Sequence, residues 1–142
     1  MEPLGYLDVF FRLGAAMLAG AVLGLDREIR NKPAGLRTMS LVALGSAVFI
    51  VTAAATATAD SASRVIQGVI TGVGFLGAGS IIRGQTEESV RGLTTAASIW
   101  LASAVGIACG LGLWSIVLIS SVFGLLILVL EPIDRWLKAR VR

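Results

Sequence analysis

Asp26, Arg37 and Arg91 are the residues of this sequence best placed for charge chemistry, with Thr38 directly after Arg37 and Thr94 three residues after Arg91. Asp26 closes one apolar run, Arg37 and Thr38 open the next after Pro33-Ala34-Gly35, and Arg91, Gly92, Thr94 and Thr95 open another. If these three helix ends meet at one face, Asp26 comes within reach of both arginines. The cluster Asp26, Arg37, Thr38, Arg91 and Thr94 is then the candidate functional group, or a set of ion pairs that locks helix ends together. It suggests no reaction class on its own. A second pair, Asp8 and Arg12, is four residues apart and shares a helix face near the other end of the first run. An ionisable pair inside a span marks function by default, although an arginine this close to a helix end can also snorkel to the interface.

Other chemistry is excluded by composition. The sequence contains no histidine, so histidine catalysis and histidine metal ligation are ruled out. Cys109 is the sole cysteine, which leaves no intrachain disulfide and no thiolate cluster. Every Asp and Glu lies at the end of an apolar run or between runs, so no cage of carboxylate oxygens for Mg²⁺ or Ca²⁺ is expected. No enzymatic activity, no cofactor and no metal site are expected.

The elements that must position these residues are hydrophobic. Apolar residues make up 56% of the 142, and charged residues only 15%. A chain this short cannot bury that much apolar surface in its own core. The fold class expected is an all-α membrane protein, a five-span polytopic helical bundle. Its spans are drawn at 7–25, 36–58, 65–82, 93–111 and 113–130, each about 18–23 residues and therefore long enough for a hydrocarbon core of about 30 Å. Asp60-Ser61-Ala62-Ser63-Arg64 reads as a turn, and Gly110-Leu111-Gly112 as a tight hairpin. Residues 1–130 form the transmembrane domain. Residues 131–142 form a basic amphipathic tail, with Ile133, Trp136 and Leu137 toward lipid and Arg135, Lys138 and Arg142 toward headgroups.

Ten of the 12 basic residues fall in the first connection, the third connection or the tail, leaving Arg12 and Arg64. With five spans those three regions share one side. The positive-inside rule then places the N-terminus outside and the C-terminus in the cytoplasm. The same distribution favours membrane topology over nucleic-acid binding as the reason for the net charge of +3. Met1-Glu2-Pro3 lacks the basic start of a cleavable signal, so the first run is expected to remain as an anchor.

Glycine is abundant and patterned. Gly20 and Gly24 follow Ala16 at spacings of four, Gly106 and Gly110 follow Ala102 likewise, and the third run holds Gly68, Gly72, Gly74, Gly77 and Gly79. In lipid, small residues at this spacing let helix backbones approach. All nine glycines are expected to serve helix packing, and the third helix is expected to sit centrally. Gly72-Val73-Gly74-Phe75-Leu76-Gly77 matches a dinucleotide-binding pattern, but that pattern requires a preceding strand, and here it lies inside an apolar span.

Three separated stretches carry a family resemblance. They are Gly24-Leu25-Asp26-Arg27-Glu28 with Pro33-Ala34-Gly35-Leu36-Arg37-Thr38; Gly72-Val73-Gly74-Phe75-Leu76-Gly77-Ala78-Gly79 with Val90-Arg91-Gly92-Leu93-Thr94-Thr95-Ala96-Ala97; and Cys109-Gly110-Leu111-Gly112. Together they resemble the MgtC/SapB family of bacterial inner-membrane proteins. The resemblance implies a multi-pass protein of the bacterial inner membrane, in a short form without the soluble domain of the virulence members. It implies a non-enzymatic regulator of another membrane protein, linked to low magnesium or stress. The F-type ATP synthase is the partner the family points to. Self-association is also expected, because five spans enclose little volume. The alternative is a transporter or channel for a small ion, such as Mg²⁺, or a solute.

Overall fold

A computed structural model describes residues 4–56, 59–83 and 90–130. Five helices follow one another: α1 (Tyr6–Ile29), α2 (Leu36–Thr56), α3 (Ala59–Gly79), α4 (Leu93–Leu111) and α5 (Trp114–Val129). A two-residue antiparallel pair, β1 (Ile82–Arg83) and β2 (Val90–Arg91), closes the α3–α4 connection with Ile82 opposite Arg91. The basic tail, Glu87 and Glu88 lie outside the described residues.

The helix ends follow local chemistry. α1 runs a turn past the expected boundary at Leu25, because the i,i+4 pair of Asp26 and Arg30 continues the helix at 2.7 Å. The expected turn at 60–64 is helical instead, so α3 begins earlier than drawn. Asp and Ser suit a helix N-terminus as well as a turn, and hydropathy alone does not separate the two. α4 has the expected bounds. It ends at Gly112 with φ of 73°, where Leu113 N–H donates to Ala108 O at 2.9 Å and Gly112 N–H to Cys109 O at 3.0 Å. This is a Schellman stop, which needs a left-handed residue and therefore favours glycine.

α1, α2 and α4 form the tight centre. Gly20 sits where a Cβ would lie 2.5 Å from Met39 O, and at Gly24 one would lie 2.6 Å from Leu36 Cα. At Gly106 a Cβ would lie 2.8 Å from Ala43 Cα, and at Gly110 2.8 Å from Ile50 Cβ. Ala16, Leu23, Met39, Ala47, Ala102, Val105 and Cys109 fill the seam. The central helix is therefore α4, not the third as expected. Ala102, Ser103, Gly106, Ala108, Cys109 and Gly110 are all buried, and small side chains let neighbours close in from several sides. In α3 only Gly77 faces a near neighbour, Ala96 at 3.6 Å, while Gly68, Gly72, Gly74 and Gly79 have nothing within 4 Å of a Cβ position. A residue count does not reveal whether a partner surface exists, and among the described residues those four glycines have none.

The outside is apolar. Phe10, Leu18, Phe49, Phe75 and Leu118 are all exposed. Such a surface is rare on a protein in water and ordinary in lipid. α1, α2 and α4 are long and apolar enough to cross a membrane, whereas α5 is apolar but shorter.

Candidate functional site

The C-terminus of α1, the N-termini of α2 and α4 and the end of α3 converge at one end of the bundle. What converges there is a different set of charges from the one the sequence singled out. Asp26 pairs with Arg30, one turn along its own helix, while Arg37 and Arg91 are exposed. Thr38 and Thr94 are exposed too, with the Thr94 carbonyl accepting a hydrogen bond from Ser98 Oγ at 2.6 Å. The structure thus brings these helix ends together without joining Asp26 to Arg37 or Arg91.

The charge at the heart of this end is Arg27. It is 2% exposed, and its Nη2–H donates to Thr95 Oγ1 on α4, itself buried. Burying a guanidinium carries a desolvation penalty of several kcal/mol unless acceptors meet it, so the contact ties α1 to α4 strongly. The signal for it was present in the sequence. Ala16, Gly20, Leu23, Gly24 and Arg27 recur at intervals of three and four and form the buried face of α1. Arg27 lies on the packing stripe, not in a loop.

Glu28 closes the α1–α2 connection. Its Oε2 accepts the Leu36 N–H at 3.0 Å, capping a free amide at the start of α2. Gly35 leaves room for that carboxylate, since a Cβ there would collide with Oε2. Between them Ala34 holds φ of 56°, an unusual conformation for a residue with a side chain. Gly92 has φ of 96° and packs on the Ser80 carbonyl, so the α3–α4 connection also depends on a glycine.

At the opposite end Arg12 lies 2.9 Å from Asp8 through Nε and Oδ2, and its Nη1–H donates to Gly110 O at 2.7 Å. Nε itself makes no directed hydrogen bond, so the Asp8 contact is electrostatic rather than aligned. Arg12 therefore reaches across the bundle and caps the C-terminus of α4, where the helix dipole favours a cation. Between the two ends, Ser46 Oγ and Ser103 Oγ hydrogen-bond at 2.9 Å across α2 and α4. Among the described residues no three His, Cys, Asp or Glu side chains converge as metal ligands would.

Two cavities flank α3. The larger, about 620 Å³, lies between α2 and α3, and its lining is apolar apart from Ser46. The smaller, about 340 Å³, lies at the α1–α2 end and includes Thr38 and Ser80.

These helix ends contain the sequence stretches that point to a family, and comparison with known proteins agrees. Residues 13–136 match the MgtC family. The chain belongs to that family. It is 47% identical to the SrpB protein of Synechococcus elongatus, over 87% of this chain and 74% of SrpB. It is 45% identical to the MgtC protein of Salmonella typhimurium, over 78% of this chain and 47% of that protein. For the MgtC protein of Brucella abortus the identity is 43%, over 78% and 46%. The chain therefore spans about half the length of these MgtC proteins. No solved structure matches it. Family membership and the apolar exterior together make it an MgtC-like membrane protein.

Proposed function

We propose that this MgtC-family chain is a non-enzymatic, multi-pass protein of the bacterial inner membrane that regulates another membrane protein, in adaptation to low magnesium or stress. The observation that supports this reading is the use made of polar groups inside the bundle. Arg27 and Thr95 join α1 to α4, and Ser46 and Ser103 join α2 to α4. These groups are spent on holding helices together. The larger cavity beside α3 is apolar apart from Ser46, unlike the rings of carbonyls or charged side chains that line an ion path. On this reading five spans put the α1–α2 connection and the C-terminus in the cytoplasm. The regulated partner docks through helix faces in the bilayer, with the F-type ATP synthase the one suggested by the family, and the chain can also pair with a copy of itself.

Affinity capture of the full chain from membranes in mild detergent tests this. A stoichiometric integral membrane partner is expected. Ion flux through proteoliposomes containing the purified chain, above that of empty vesicles, would overturn the reading in favour of a transporter.

A further inference from the structure

The α2–α3 groove has a chemical polarity along its length. Its α2 wall includes Leu41, Gly45 and Phe49, spaced by four, and its α3 wall includes Val65, Gly68 and Gly72. No atom lies within 4 Å of a Cβ position at Gly45, Gly68 or Gly72, so the floor is open. The α2 stripe of period four, followed toward the helix start, reaches Arg37 one turn below Leu41. Arg37 is exposed there. The groove also shares Val42 and Leu76 with the smaller cavity, which carries Thr38 and Ser80 at the same end of the bundle. The two cavities therefore adjoin at Val42 and Leu76, and the exposed Arg37, next to Thr38 in the chain, stands beside their polar end.

We propose that this groove binds one anionic phospholipid, with an acyl chain along Gly45, Gly68 and Gly72 and the headgroup phosphate at Arg37. The volume suits a chain-like ligand, being within the range of about 300–1,000 Å³ usual for small-molecule sites. Charge complementarity selects an anion. The acidic side chains described near this end are already engaged, Asp26 with Arg30 and Glu28 with the Leu36 amide. Asp8, at the far end, is engaged with Arg12. None of these three acids is therefore available to Arg37 from the matching face of a second copy, whereas a lipid phosphate is available along the whole bilayer surface.

The test uses the full chain in nanodiscs of equimolar phosphatidylglycerol and phosphatidylcholine, extracted into mild detergent, with retained lipid identified by native mass spectrometry. Retained phosphatidylglycerol is expected to exceed phosphatidylcholine about fivefold, the factor one basic residue near an anionic surface contributes. Arg37→Gln should bring the two lipids to parity. Gly68→Leu, which fills open space, should keep its helical circular dichroism and lose most of the retained lipid. Parity in the unaltered chain would overturn the proposal. So would unchanged enrichment in Arg37→Gln, or a lipid-free dimer that crosslinks through Gly68→Cys.

Discussion

The α1–α2–α4 wedge and the α3 face are built from the same small residues and use them in opposite ways. In the wedge, Gly20, Gly24, Gly106 and Gly110 each press against a neighbouring helix, and additional atoms have nowhere to go. On α3, Gly68, Gly72, Gly74 and Gly79 press against none of the described residues. The polar groups divide in the same way. Arg27, Thr95, Ser46 and Ser103 are buried in the wedge, and the groove beside α3 is apolar except where it reaches Ser46. A glycine stripe in a membrane helix is thus a statement about approach, not about what approaches. In one region the neighbour is the chain's own backbone, and in the other no described residue supplies one.

The largest test of this contrast is a single methyl group. Gly106→Ala would place a Cβ 2.8 Å from the Ala43 Cα, against backbone that cannot rotate away. Overpacking of this kind costs about 1–3 kcal/mol and occasionally more, and the upper end is expected here. Gly72→Ala meets open space and should change stability by no more than about 0.5 kcal/mol. Unfolding of both variants in detergent by SDS titration, followed by tryptophan fluorescence, measures the difference. Equal losses would show that the contrast between the regions is not real.

Next in size is Thr95→Val, which keeps the side-chain shape and removes the Oγ1 acceptor that Thr95 offers the Arg27 guanidinium. A hydrogen bond to a charged group is worth about 1.5–3 kcal/mol, and a loss of about 2 kcal/mol is expected in the same titration. Thr94→Val, one residue earlier and exposed, should be nearly silent in stability. A reversal of that order would remove Arg27 and Thr95 from the centre of the wedge.

How legible this was depended on the kind of feature. The bounds of α4 were legible because glycines with positive φ flank it, at Gly92 and Gly112. The start of α3 was not, because Asp60 to Arg64 suit a helix start and a turn alike. Arg27 was hidden in plain view. It sits among Asp26, Glu28 and Arg30, so it reads as one more loop charge until the helix period is carried past Gly24. Asp26 attracted attention for the same reason, and its partner proved to be local. The vacancy beside α3 was not legible at all, since a stripe of glycines reads the same whether or not a neighbour covers it.

The far end of the wedge gives a smaller effect. Arg12→Gln removes both the charge beside Asp8 and the cap on Gly110 O. A cation at a partly buried helix C-terminus is worth up to about 2 kcal/mol, and a loss of about 1.5 kcal/mol is expected. Asp8→Asn should cost less, since Arg12 keeps its bond to the carbonyl. A larger loss from Asp8→Asn would show that the ion pair, rather than the cap, holds the α4–α5 hairpin.

The smallest predicted effect has the opposite sign. Ala34 holds φ of 56° between Glu28 and the start of α2. A left-handed conformation costs a residue with a Cβ about 1–2 kcal/mol. Ala34→Gly removes that strain and adds about 0.4–1 kcal/mol of unfolded-state entropy, so a net gain of about 0.5 kcal/mol is expected. The Ala34 methyl also packs partly against the core, and losing it subtracts from the gain. A measured loss would mean that this packing outweighs the strain, and that the connection belongs to the wedge as firmly as Gly106 does. A gain would mark it as a strained joint, kept by its position between the wedge and the mouth of the α3 groove.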